Sequence, residues 1–428
     1  GALYRELCWI FWDKNGANGR MTNTFFGQID PPQRLLMGPG PVNAYPRVLR
    51  AMAADMLGQF DPEMTAYMNE TMALYRNVFM TQNQWTFLVD GTARAGIEAA
   101  LISLVEPGAK LLIVSAGRFG LLLSEIALRI GAEICTLELP WGQVAILEQI
   151  EQALITHKPQ VFACIHGDTS TTMAQPLEGV GALCRKYGVL SYADVTATLG
   201  GMEVAVDRWG IDVVSGGLQK CMGGPPGSAP ITISDRAAQH IMARRHVEAG
   251  IRGANTQDGA RPRIPSNYFD LAMVMDYWSE DRLNHHTEAT TMLYGAREAA
   301  RIMLEEGLSA RFARHKAAGQ AVVAGARALG LQVFGDDAHR MTNVTGIWIP
   351  EGVKGEQVRA QMREDFGIEI GTAFGPLAGK IWRIGAMGYN AAKPKVLLTL
   401  AALEACLAVQ GYKAQRGAGV DAAMATYS

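Results

Sequence analysis

The chain has 428 residues, 49% of them hydrophobic and 19% charged, with a net charge of −2 at pH 7. That length suits a large domain joined to a smaller one. The near-neutral balance, with no basic cluster, excludes the footprint of a nucleic-acid binder or of a protein docked on an anionic membrane. At the N-terminus, the apolar run from Leu7 to Trp12 is too short to span a bilayer and lacks a signal peptide's basic flank and cleavage site. Met21 ends a Gly/Asn-rich stretch and reads as a native start, so residues 1–20 read as an upstream extension. The six cysteines form no CxxC pair and no zinc spacing, as expected of reduced core residues in a cytosolic protein.

From Trp85 onward, short apolar runs alternate with helical patterns. The pattern predicts strands over 86–89, 110–115, 133–139, 160–165, 189–194 and 213–215, with helices over 92–105, 120–130, 144–156 and 177–187 between them. An antiparallel strand is expected over 229–234. Strands that are apolar throughout and separated by helices make an α/β fold, with a mainly parallel sheet covered on both faces. A long helical region over 287–329 follows, then strands at 333–334, 344–349, 368–370 and 380–384 and helices near 356–366 and 393–407. That second half reads as a smaller α+β domain. The expected division is an N-terminal extension over 1–30, a large domain over 31–285 and a small one over 286–428.

Ligands of such sheets bind beyond the carboxyl ends of the strands. Lys220 sits there, after the strand at 213–215 and before the tight segment Gly223-Gly224-Pro225-Pro226-Gly227. A lone lysine after a turn is ordinarily a solvated surface residue. A buried one has a lowered pKa and serves as an amine for Schiff-base chemistry. Asp194 ends the strand at 189–194, where a buried acid needs a partner. It is either a turn residue or the carboxylate facing a protonated pyridine nitrogen, the arrangement that lets pyridoxal 5′-phosphate (PLP) act as an electron sink.

Thr92, Ala93 and Arg94 follow Gly91 at a strand-to-helix turn suited to a phosphate, or to plain helix capping. Phe119 is a stacking candidate or a core residue. Arg383 lies in an apolar strand and suits a substrate carboxylate or an internal salt bridge. Adjacent His285 and His286 do not face one way on a helix, and no carboxylate is suitably spaced, so no metal site is expected. Thr287 reads as a helix start and a second phosphate contact. Cys221 adjoins Lys220 and reads as structural, since a sulfur-accepting cysteine belongs on a mobile loop.

Together these motifs, from Leu36 to Leu407, resemble the class V aminotransferases of fold type I. Gly38-Pro39-Gly40-Pro41 resembles that family's N-terminal signature, which places Gly40 at the substrate. Thr92-Ala93-Arg94 stands where the family usually has Ser-Gly-His, and His166-Gly167-Asp168-Thr169-Ser170 matches a segment whose Thr169 hydroxyl would reach the cofactor. Gln219 matches the phosphate-contacting residue before the Schiff-base lysine, Arg383 the carboxylate-binding arginine, and Phe119 replaces a stacking tryptophan.

Four stretches, around Gln59, Asp90, Ser266 and Asn284, resemble the branch that transfers an amino group from a ureido-bearing donor of purine breakdown to glyoxylate. Asn284 stands where alanine-specific members carry a tyrosine. With Gln59 it offers amides apt for a ureido group. The resemblance implies a cytoplasmic homodimer whose active site is shared, with Asn284 and Thr287 donated across the interface. The rival readings are alanine– or serine–glyoxylate exchange, a desulfurase using Cys221, and a non-catalytic binding protein on the same fold.

Overall fold

Apolar strands flanked by helices build a seven-stranded central sheet in the computed structural model, which describes residues 27–254 and 256–427. In spatial order its strands are Trp85–Asp90, Ser228–Ile233, Val213–Ser215, Leu190–Asp194, Val161–Ile165, Lys110–Ser115 and Glu133–Glu138. The last five pair in parallel. Ser228–Ile233 runs antiparallel between Val213–Ser215 and Trp85–Asp90, as its position in the sequence predicts. Two antiparallel pairings restore direction, so Trp85–Asp90 points the same way as the parallel strands. Asp90, Ser115, Ile165, Asp194 and Ser215 therefore end on one edge. The chain order reverses between Lys110–Ser115 and Val161–Ile165, the switch point where open sheets of this kind leave a crevice.

Strand burial explains the parallel order. Phe162, Ala163, Cys164, Tyr192, Ala193, Val213 and Val214 are all 0% exposed, so helices cover both faces of the sheet. A second apolar cluster joins Ala318, Val322, Trp382, Ile384, Leu400 and Leu403 around an antiparallel sheet of Val344–Trp348, Ile381–Gly385 and Gly371–Thr372. Residues 34–428 cluster as one compact unit; residues 27–33 belong to another and carry neither helix nor strand. The expectations for residues 1–20 and Met21 lie outside the described residues. No helix among the described residues is long and apolar enough to cross a membrane.

Several elements differ from expectation. The helical region predicted over 287–329 is two helices, Thr290–Glu306 and Leu308–Ala328, because Gly307 at φ 83° breaks the run. Thr287 is not a helix start; the first turn begins three residues later. The strand expected at 333–334 is only an isolated bridge from Val333 to Ile347. The 17-residue helix Pro62–Val78 was not expected, although Asp61 caps it and Pro62 opens it, both readable signals.

Candidate active site

Five strand ends and the loops beyond them enclose a cavity of ≈ 330 Å³. Its lining includes Gly40, Thr92, Ala93, Arg94, Phe119, Thr169, Asp194, Gln219 and Lys220, so nine of the residues singled out in the sequence meet here. Thr196 and Arg118 line it too, and the sequence reading had passed over both.

Asp194 closes its strand 4% exposed. One carboxylate oxygen, Oδ1, accepts hydrogen bonds from the Thr196 backbone N–H at 2.8 Å and the Thr196 hydroxyl at 2.5 Å. Burial pushes its pKa up to about 6, against the Thr196 bonds, and the nearby Asp168 adds to the rise. The Thr196 bonds and the charge of Lys220 favour the anion without offsetting burial, so an added cation would stabilise it further. The pattern Asp-x-Thr was the signal available for Thr196.

Lys220 donates a short hydrogen bond to the Pro39 carbonyl. Burial, then repulsion from Arg383, brings its pKa down to about 8, so the amine is far more available than a surface lysine. Gly40 keeps this geometry possible: at φ 104° it lies so close that a Cβ would strike the Lys220 side chain. Behind the lysine, Cys221 is 0% exposed and its pKa is raised to about 11 by burial. Its sulfur accepts from Asn343 Nδ2 at 2.8 Å, and its carbonyl from the buried Arg311 at 2.7 Å. Cys221 is thus a clamp for the lysine's backbone, and a mobile sulfur acceptor has no place there.

Thr92 precedes the helix Ala93–Leu104, but its hydroxyl makes no capping bond. The Ala95 N–H is used by the Thr92 carbonyl, so the Ala93 and Arg94 N–H groups open the helix toward the cavity. The Gln219 side-chain oxygen is buried with no partner. An exposed hydroxyl and a helix start on one wall suit the phosphate of PLP, the unpaired Gln219 oxygen suits a donor on the ring, and Lys220 and Asp194 suit its aldehyde and ring nitrogen. The residues present therefore fit this cofactor.

Phe119 is positioned from a distance. Its N–H donates to Asp168 Oδ2 at 3.2 Å, and the Arg118 N–H donates to Ser170 Oγ at 2.9 Å. Arg383 is 4% exposed and makes no salt bridge among the described residues. Its Nε donates to the Thr372 carbonyl at 2.7 Å and its Nη1 to the Thr169 carbonyl at 2.6 Å. These bonds leave Nη2 for another acceptor. Burial lowers its pKa to about 10, so it remains a cation near neutrality.

Arg383 is not itself part of this lining, though it bonds the carbonyl of Thr169, which is; Gln59, Asn284 and Thr287 are not part of it either. Asn284 and Thr287 are exposed, and Gln59 Nε2 donates to Asn284 Oδ1 at 2.8 Å. The three form a separate surface group. Beneath them, carboxylates that the sequence spacing did not offer the histidines lie beside His286. The segment 284–287 is not helical, and ligating atoms of Asp90, His286 and Glu288 lie within 4.8 Å of one another. The long loop brings together carboxylates that sequence spacing hid. Asp90 Oδ2 accepts from His286 at 2.9 Å and from the Ala289 N–H at 3.1 Å, while the Tyr277 hydroxyl donates to Glu288 at 3.1 Å.

Comparison with known proteins places this geometry. The family model described as aminotransferase class-V matches residues 42–382. Over 403 residues the chain is 51% identical to an (S)-ureidoglycine–glyoxylate transaminase of Bacillus subtilis, covering 94% of this chain and 97% of that one. The crystal structure of the ureidoglycine–glyoxylate aminotransferase of Bacillus subtilis superposes with a TM-score of 0.89 at 49% identity, covering 94% of this chain and all of that one. An alanine–glyoxylate aminotransferase of Oryctolagus cuniculus is 35% identical over 85% of this chain and 90% of its own.

Proposed function

Because the chain belongs to the class V aminotransferases, which depend on PLP, we propose that it transfers the amino group of (S)-ureidoglycine to glyoxylate, giving oxalurate and glycine in purine breakdown. The observation that carries the reading is the convergence of an activated lysine and a buried acid in one cavity, joined by the Gln59–Asn284 amide pair on the same chain. When bound, PLP supplies an aromatic electron sink that stabilises negative charge at the donor's Cα.

The protein's own groups divide the rest of the task. Asp194, a buried carboxyl that a cation would stabilise, would hold the ring nitrogen protonated. Thr92, the Gln219 amide N–H and the start of the helix Ala93–Leu104 would anchor the phosphate, and Phe119 would support the ring face. Arg383 binds the donor carboxylate through the guanidinium edge that its main-chain bonds leave over. Lys220, with its depressed pKa, takes the proton from the donor's Cα. Water supplies the oxygen of the 2-oxo product, and glyoxylate then carries the nitrogen away as glycine.

Alanine or serine exchange would use the same lysine and acid. Gln59 and Asn284 favour the ureido donor, because an amide pair faced by a methyl group is left unsatisfied. The pair lies outside its own chain's cavity, so we assign it to the cavity of a second copy in a homodimer, with Thr287 beside it. Five free cysteines among the described residues, four of them buried, suit a reducing cytoplasm.

The test is to supply freshly generated ureidoglycine with glyoxylate and follow glycine, with alanine and serine as competing donors. Ureidoglycine should be preferred by at least about tenfold in kcat/KM, the worth of one unsatisfied polar contact. An unchanged donor preference in the Gln59→Ala and Asn284→Tyr variants would overturn the ureido assignment.

A further inference from the structure

The amide pair has a polarity, and the fold dictates it. The Glu288 main-chain N–H donates to Gln59 Oε1 at 3.2 Å. A backbone N–H can only donate, so the oxygen of the Gln59 amide must face it and its nitrogen must face Asn284. That nitrogen donates to Asn284 Oδ1 at 2.8 Å, which in turn turns the Asn284 amino group outward. The free groups on this surface are then N–H donors: one on Gln59 and two on Asn284.

Glu288 cannot easily move to change this. Its side chain is 3% exposed and takes the Tyr277 hydroxyl, and the residue after it donates its N–H to Asp90. Asp90 also accepts from His286, so the whole turn is tied to the end of the strand Trp85–Asp90.

From this chain of bonds we infer that Gln59 and Asn284 recognise an acceptor, the carbonyl oxygen of the ureido group, and not its terminal amino group. The inference rests on the proposed ureido donor and adds which atom of it is read. Asp90 and His286 are positioning residues for the pair.

Two stable probes separate the possibilities on the holoenzyme. Ureidoacetate carries the carbonyl and the terminal amino group but has no α-amino group to transfer. N-acetylglycine keeps the carbonyl and replaces the amino group with a methyl. Both are measured as competitive inhibitors of the amino donor. The two should bind within about threefold of each other, since the carbonyl is common to both.

Gln59→Glu supplies the complementary arm. A carboxylate there accepts from Glu288 and from Asn284, flips the Asn284 amide and presents oxygen outward. Both probes should then weaken by at least about tenfold. N-acetylglycine more than about tenfold weaker than ureidoacetate in the wild type, or ureidoacetate unchanged or tighter in Gln59→Glu, overturns the polarity while leaving the ureido donor in place. Failure of ureidoacetate to compete at all in the wild type overturns both.

Discussion

Asp194 carries an electrostatic conflict inside the cavity. Burial raises its folded-state pKa to about 6, so the native apoprotein binds that proton more tightly than the unfolded chain does. Its contribution to stability is therefore greatest below the ordinary aspartate range and is lost as pH rises through about 6. An isosteric amide removes the conflict while still accepting from Thr196. Apo Asp194→Asn should be more stable than the apo wild type near neutrality, by on the order of 3 kcal/mol for a rise of about two pKa units. The gap should close near pH 4, which urea denaturation at the two pH values would measure (an equal gap at both contradicts the account). Activity should move the opposite way, falling at least about a hundredfold, because the ring nitrogen loses its anion.

At the level of elements, the helix Arg118–Ile130 shows how the fold aims one side chain from a remote segment. Its first N–H groups are capped by Ser170 and Asp168, and the approach is so close that a Cβ on Gly117 would lie 2.7 Å from Asp168 Cγ and 2.8 Å from Ser170 Oγ. Gly117→Ala should break both caps, costing about 1–2 kcal/mol in thermal or urea unfolding. It should also weaken PLP retention by displacing Phe119. Full PLP affinity in a destabilised Gly117→Ala protein would separate Phe119 from the cofactor. This cap also marks what was legible in the sequence. Phe119, Asp194, Lys220 and Thr92 could be read because each closes an apolar strand or lies in the short turn after one, and parallel strands deliver such residues to one edge. The cap pairs residues about fifty positions apart through polar bonds that leave no periodicity, and the same is true of the Arg311 bond to the Cys221 carbonyl. The cluster of Asp90, His286 and Glu288 was hidden for that reason too. Gly307 was visible, but helical patterns on both sides of it concealed the break.

At the scale of the whole molecule, the question is whether one chain holds a complete site. Lys220 and Asp194 share a cavity, whereas the hydrogen-bonded Gln59 and Asn284 stand together on an exposed surface. A donor amide pair that serves catalysis from there must complete the cavity of a second copy. Mixed dimers test this directly. One protomer carries Lys220→Ala and an intact amide pair; the other keeps Lys220 and carries Gln59→Ala with Asn284→Tyr. Each variant alone should turn over ureidoglycine poorly, the first for want of the base and the second for want of donor recognition. If the site is shared, a mixed dimer rebuilds one wild-type site from the second protomer's lysine and the first protomer's amides. Random exchange makes half the dimers mixed and half of their sites intact, so activity should recover to about a quarter of the wild type after mixing. If instead each chain completes its own site, no combination assembles a lysine with an intact pair, and mixing restores nothing. The isologous symmetry of a two-fold dimer makes the two outcomes exclusive. Recovery of the ureidoglycine reaction therefore assigns the amide pair to the neighbouring cavity.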